Sequence, residues 1–158
     1  MASIREGKLA SRAAVEDFVG RRTLAVVGVS RQGKKFGNLA FRELKAKGYR
    51  LLPVHPQAET IQGERCYPSL AALPEPVDGV LVVVPPAETE KVVREAAAAG
   101  IKRVWMQQGA ESPESIQSCQ ENGISAVHGE CILMFTEPAA WYHRAHRWIW
   151  KLLGKLPN

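Results

Sequence analysis

Thr23-Leu24-Ala25-Val26-Val27-Gly28-Val29-Ser30-Arg31-Gln32-Gly33-Lys34-Lys35-Phe36-Gly37-Asn38 is the stretch whose reading decides the fold. Its first five residues form a continuous apolar run. A strand apolar on both faces belongs in the middle of a parallel sheet, where neither face meets water. Gly28 stops the run. Beyond the turn, Phe36, Leu39, Ala40 and Leu44 share one helical stripe, and Gly48 closes the helix. Strand, glycine turn and helix in that order are the opening of a β-α-β unit.

The same alternation extends in both directions. Upstream, Ala13 to Val19 places Val15, Phe18 and Val19 at helical spacing before Gly20. Downstream, Tyr49 to Val54 is a second strand, halted at His55-Pro56, and a polar loop follows to Cys66. A helical turn fits Ser69 to Leu73. Gly79 to Val84 is the clearest strand, cut off by Pro85-Pro86 and followed by a helix that carries Val92, Val93, Ala96 and Ala97 and stops at Gly100. Arg103 to Met106 and Ile124 to Val127 complete the strands. Between them a helix opens on Ser112-Pro113, a cap followed by proline at the first helical position, and ends at Gly123. Alternating strands and helices joined by short loops call for a Rossmann-like α/β fold, a doubly wound parallel sheet of about five strands.

The 158 residues are read as one domain, 1–158, with a core over about 13–136 and an additional amphipathic helix over about 137–153. Composition is that of a globular protein, 46% hydrophobic and 23% charged. Three cysteines at irregular spacing, without a CxxC pair, disfavour a metal knuckle or a disulfide scaffold. The first eight residues lack the apolar segment of a signal peptide, and no run is long enough to cross a bilayer, so a cytoplasmic location is expected. A net charge of +5 suits an anionic ligand or partner, or simply a soluble protein rich in arginine.

In a doubly wound sheet, ligands sit beyond the carboxyl ends of the strands, where strand order reverses. The loops to read are those after Val27, Val54, Val84, Met106 and Val127. Gly28 to Gly33 leads from strand into helix, so exposed amides and the helix dipole would favour an anion there. Arg31, Lys34 and Lys35 add cations. The dinucleotide fingerprint G-x-G-x-x-G is broken, because Ser30 replaces the second glycine. No Asp or Glu closes the second strand to hold ribose hydroxyls; His55 stands there instead. NAD is disfavoured, whereas a ribose carrying a phosphate, as in NADP, would suit the spot.

Taken in order, Gly28-Val29-Ser30, Val54-His55-Pro56, Val84-Pro85-Pro86, Trp105-Met106-Gln107-Gln108-Gly109 and Glu130-Cys131-Ile132-Leu133-Met134 resemble the CoA-binding domain family. That domain also forms the N-terminal part of the succinyl-CoA synthetase alpha subunit. The similarity runs from about Thr23 to Met134. It implies a bound coenzyme A or acyl-CoA, with Gly28, Val29, Ser30, Arg31, Gly33, Lys34 and Lys35 at its phosphates. Val54, His55 and Pro56 would border the adenosine end, Val84 and Pro85 would line the cleft, and Gln107, Gln108 and Gly109 would form its far wall. Many members carry Asn where this chain has His55. The synthetases need further domains that this length does not accommodate, so the resemblance implies binding rather than catalysis.

Cys131 follows the last strand and is a candidate for a mixed disulfide with the CoA thiol; a small buried hydrophobe is the simpler role. Cys119 reads as core and Cys66 as loop. His143 and His146 lack the extra ligands of a metal site. His128 is a possible second anion contact. From Glu137 to Leu153, Trp141, Ala145, Trp148, Ile149 and Leu152 form an apolar stripe among basic residues. That helix would pack on its own sheet or pair two subunits as a homodimer. Two other functions stay open: an NADP(H)-binding oxidoreductase or redox sensor, and an interaction module that engages nucleic acid or a membrane through the basic, Trp-rich helix.

Overall fold

The computed structural model describes residues 11–136. The predicted C-terminal helix, its dimer role, and His143 and His146 lie outside them. Ser11 caps the first helix, α1 (Arg12–Val19), by accepting from the Ala14 amide at 3.1 Å. The chain continues through β1 (Thr23–Val27), α2 (Phe36–Ala46) and β2 (Arg50–Val54). A small hairpin follows, made of β3 (Thr60–Ile61) and β4 (Glu64–Arg65), and then a 3-10 turn at Leu70–Ala72. Next come β5 (Gly79–Val82), α3 (Pro86–Ala98), β6 (Arg103–Gln107), α4 (Pro113–Glu121) and β7 (Ser125–Glu130), with a last 3-10 turn at Ile132–Met134.

Five strands form one parallel sheet in the order β2-β1-β5-β6-β7. The chain steps from β1 to one side, then returns past it to β5, so the reversal of strand order falls between β1 and β5. Alternate residues of the central strands feed two cores. Leu24, Val26, Leu81, Trp105 and Val127 pack under α1, α2 and the Ile132–Met134 turn. Ala25, Val80, Val82, Val104 and Met106 pack under α3 and α4. Every one of these side chains is at most 1% exposed. That is why the strands read as unbroken apolar runs. Trp105 centres the first core, its ring 5.4 Å from that of Phe18 and its indole N–H bonded to the Glu130 carbonyl at 3.1 Å.

Most expected elements stand within a residue or two, and the differences have local causes. The strand expected over Gly79–Val84 ends at Val82. The expected stripe of α2 is rotated, with Gly37, Ala40, Phe41 and Leu44 buried, Leu39 half-buried and Phe36 exposed. The polar loop before Cys66 contains the β3–β4 hairpin, whose two-residue turn places Gln62 at φ 50° and Gly63 at φ 81°. Two positive φ values are what such a turn requires. Beyond it, Tyr67 donates to the Pro53 carbonyl and accepts from the His55 amide, both at 2.9 Å. This bond pair ties the excursion back to the sheet edge. No helix among the described residues is long and apolar enough to cross a membrane.

Candidate functional site

The loop leaving β1 is pressed between two neighbours. Gly28 has φ 114°, and a Cβ built on it would lie 2.1 Å from the Val83 carbonyl oxygen. A Cβ on Gly37, in the first turn of α2, would lie 2.6 Å from the Gly28 oxygen. Main chain therefore meets main chain at both places, and only glycine allows it. The loop is held by Asn38, which is fully buried. Its side-chain oxygen accepts from the Ser30 amide at 3.0 Å, and its Nδ2 donates to the Ser30 carbonyl at 2.8 Å.

Open amides were expected across Gly28–Gly33, and the structure narrows that set. The Ser30 amide is taken by Asn38, the Gln32 amide by Ser30 Oγ at 3.2 Å and the Gly33 amide by the Ser30 carbonyl at 3.3 Å. The first turn of α2 offers replacements. Lys35 occupies the N-cap in an extended conformation without a side-chain cap bond. Among the described residues, the amides of Phe36 and Gly37 have no partner. Such amides, with the helix dipole behind them, form an anion-binding end.

Above the β1–β5 reversal lies a cavity of about 590 Å³, within the range of roughly 300–1,000 Å³ that small-molecule sites occupy. One side is built from Val27, Gly28, Val29, Ser30 and Lys35, and the β2 end contributes Val54, His55 and Pro56. Pro68 enters from the excursion that Tyr67 anchors. Val83, Val84 and Pro85 follow β5, and the first turns of α3 bring Glu88, Lys91, Val92 and Glu95. The lining is mainly apolar, and its charged groups are Lys35 at the start of α2 and Glu88, Lys91 and Glu95 on α3. After Val83 and Val84, Pro85 caps α3 and Pro86 opens it, and the helix runs along the crevice from there. Thr89 fixes that placement by donating to the Ala110 carbonyl at 2.5 Å.

Of the residues singled out by sequence, Gly28, Val29, Ser30, Lys35, Val54, His55, Pro56, Val84 and Pro85 come together around this cavity. Arg31, Gly33, Lys34, Gln107, Gln108, Gly109 and Cys131 do not line it. Arg31 is exposed and donates to Gln57 Oε1 at 3.4 Å. Gln107 is 6% exposed, and its side-chain oxygen accepts from the Ile132 amide at 3.1 Å. The Gln108 amide donates to the Glu130 carbonyl at 3.2 Å, and that of Gly109 to Glu111 Oε2 at 2.9 Å. These contacts tie the turn after β6 to the end of β7. The wall expected there is provided instead by α3. Cys131 is buried in the first core.

Sequence reasoning missed Asn38, Pro68 and the α3 residues. An Asn immediately after Gly37, on the inward face of an amphipathic helix, was the readable signal for the first. For the others, no local pattern shows that α3 leans over the crevice.

Titratable groups near the strand ends are mostly set by burial. His55 is half-buried; its Nδ1 accepts from the amides of Gln57 at 3.0 Å and Ala58 at 3.1 Å. Burial, and then the charge of Arg31, hold its pKa below 6.5. Burial likewise lowers His128 and pushes the thiols of Cys66 and Cys119 up, the latter to about 11. Glu130 is fully buried, with both carboxylate oxygens unpartnered, and burial lifts its pKa from 4.5 to about 7. No group of three or more His, Cys, Asp or Glu able to hold a metal occurs among the described residues.

A doubly wound parallel sheet, a glycine-bounded loop feeding an uncapped helix, and a crevice at the strand reversal define the Rossmann-like class of α/β domain. Residues 22–137 match the model of the CoA binding domain. The chain belongs to that family. It is 34% identical over 126 residues to the alpha subunit of acetate–CoA ligase [ADP-forming] II from Pyrococcus furiosus, covering 73% of this chain and 28% of the subunit. An uncharacterized protein of Bacillus subtilis, YneT, is 26% identical over 123 residues, covering 77% of this chain and 91% of that protein. A solved conserved hypothetical protein from Pyrococcus furiosus superposes with a TM-score of 0.67 at 40% identity, over 70% of this chain and 96% of that one. The chain thus spans less than a third of the ligase subunit and most of the two smaller proteins.

Proposed function

We propose that this chain binds coenzyme A or an acyl-CoA and performs no chemistry on it. The observation that carries the reading is the free start of α2, where Lys35 lines the crevice and the next two amides, of Phe36 and Gly37, have no partner, beside a loop stapled by Asn38. A pyrophosphate needs such donors, and the apolar lining that Pro56, Pro68 and Val92 contribute suits a base. Family membership and the ligase relatives support the same ligand class. Binding without catalysis is supported by the state of the candidate groups. His55 has Nδ1 occupied by two amides, and the Cys66 and Cys119 thiols are held above their ordinary range. None is prepared as a base or a nucleophile.

Titration calorimetry with CoA, acetyl-CoA, NAD, NADP and ATP tests the proposal. Saturable binding of CoA species, tighter than that of either nicotinamide dinucleotide, is the expected result. Binding of NADP with indifference to CoA would replace the reading with a dinucleotide site.

A further inference from the structure

His55 stands where dinucleotide-binding sheets place a carboxylate to accept from ribose hydroxyls. Its surroundings give it the opposite polarity. Two backbone amides, those of Gln57 and Ala58, donate to Nδ1 at 3.0 and 3.1 Å, so that nitrogen must carry a lone pair. The proton of the neutral ring then resides on Nε2, which has no partner among the described residues. Protonating Nδ1 would eject both amides. His55 lines the cavity at the β2 end, where its ring N–H is a donor and not an acceptor.

We propose that His55 is a specificity-determining residue: locked as the neutral Nε2–H tautomer, it selects an adenosine end whose ribose carries a phosphate over one with a free diol. This rests on the CoA reading above and adds to it the discrimination between CoA and its dephosphorylated form. A phosphate monoester only accepts hydrogen bonds and matches a donor. A free diol must also donate, and a ring N–H cannot accept its protons. Arg31 does not line the cavity, but it bonds Gln57 in the loop that His55 holds, and its charge acts on the His55 ring. The charged groups lining the cavity are Lys35 on α2 and Glu88, Lys91 and Glu95 on α3.

Calorimetry with CoA and dephospho-CoA at pH 7.5, together with 15N spectra of the histidine ring nitrogens, tests the assignment. Expected are a bare Nδ1 and a protonated Nε2 for His55, and a preference for CoA of about tenfold, equivalent to about 1.4 kcal/mol. His55→Asp should bring the two affinities together. His55→Asn should keep the preference, because its side-chain oxygen can accept from the loop amides while its nitrogen donates. Equal affinities in the unmodified protein, an imidazolium or Nδ1–H signal, or an undiminished preference in His55→Asp would each overturn the proposal. Binding of neither nucleotide would overturn the CoA reading and this one with it. If His55→Asp fails to fold, the unmodified ratio and the ring spectra still decide.

Discussion

Single atoms set the limits of the loop after β1. A methyl group on Gly28 would meet the Val83 carbonyl at 2.1 Å while sitting at φ 114°. Gly28→Ala should therefore cost about 1–3 kcal/mol from backbone strain alone, read as a lower midpoint of chemical denaturation. Asn38 makes a different prediction, because it joins stability to binding. Asn38→Ala strands the Ser30 amide and carbonyl, at a cost of about 1–3 kcal/mol, and CoA affinity should fall in calorimetry as the loop loosens. Asn38→Asp keeps the acceptor but replaces the donor to the Ser30 carbonyl with a buried carboxylate oxygen, so stability should fall further than in Asn38→Ala and CoA affinity should fall with it. An unchanged affinity in both variants would remove Asn38 from the site's support. Gly28 was legible as a turn residue from its place after a strand. The Asn38 staple was not, because a helix-interior polar residue declares its partner only once the loop folds back on it.

Elements explain why neighbouring cations differ. Lys34 and Lys35 are adjacent and equivalent in the sequence, yet only Lys35 lines the cavity, from the N-cap of α2. Lys35→Ala should weaken CoA binding and lessen its dependence on salt, whereas Lys34→Ala should leave both nearly unchanged; calorimetry at two ionic strengths separates them. At α4 the reciprocal bonds of Ser112 and Ser115 cap the start of the helix, and neither serine lines the crevice. Ser112→Ala should cost about 1 kcal/mol of stability with no effect on the ligand. The Ser-Pro start of that helix was readable in advance because capping is local chemistry. The β3–β4 hairpin was not, since Gln62 adopts φ 50° where Asn or Gly would have announced the turn. The lean of α3 over the crevice was equally hidden, because it depends on Thr89 reaching Ala110, 21 residues away.

At the scale of the whole molecule, the sheet was legible because both faces of its central strands are covered, which leaves a simple apolar signature. The cost of closing it shows at Glu130. Its carboxyl sits near 4.5 when unfolded and at about 7 in the fold, so the folded state holds the proton more tightly. Stability from this group is present below 4.5 and declines as pH rises through 7, by about 3 kcal/mol in total. Glu130→Gln should raise the melting temperature at pH 8 and leave it nearly unchanged at pH 4.5. His55 has the opposite slope. Its pKa is lowered by folding, so its contribution is present above 6.5 and is lost as pH falls through the folded value. The contact of Gly28 with Val83 has a last consequence for how this architecture diversifies. The floor of the crevice at Gly28 and Val83 is paved with peptide units that substitution cannot re-tile, whereas its margin at Pro56, Pro68, Glu88 and Glu95 is made of side chains. New cargoes would be acquired along the margin, with the paving unaltered.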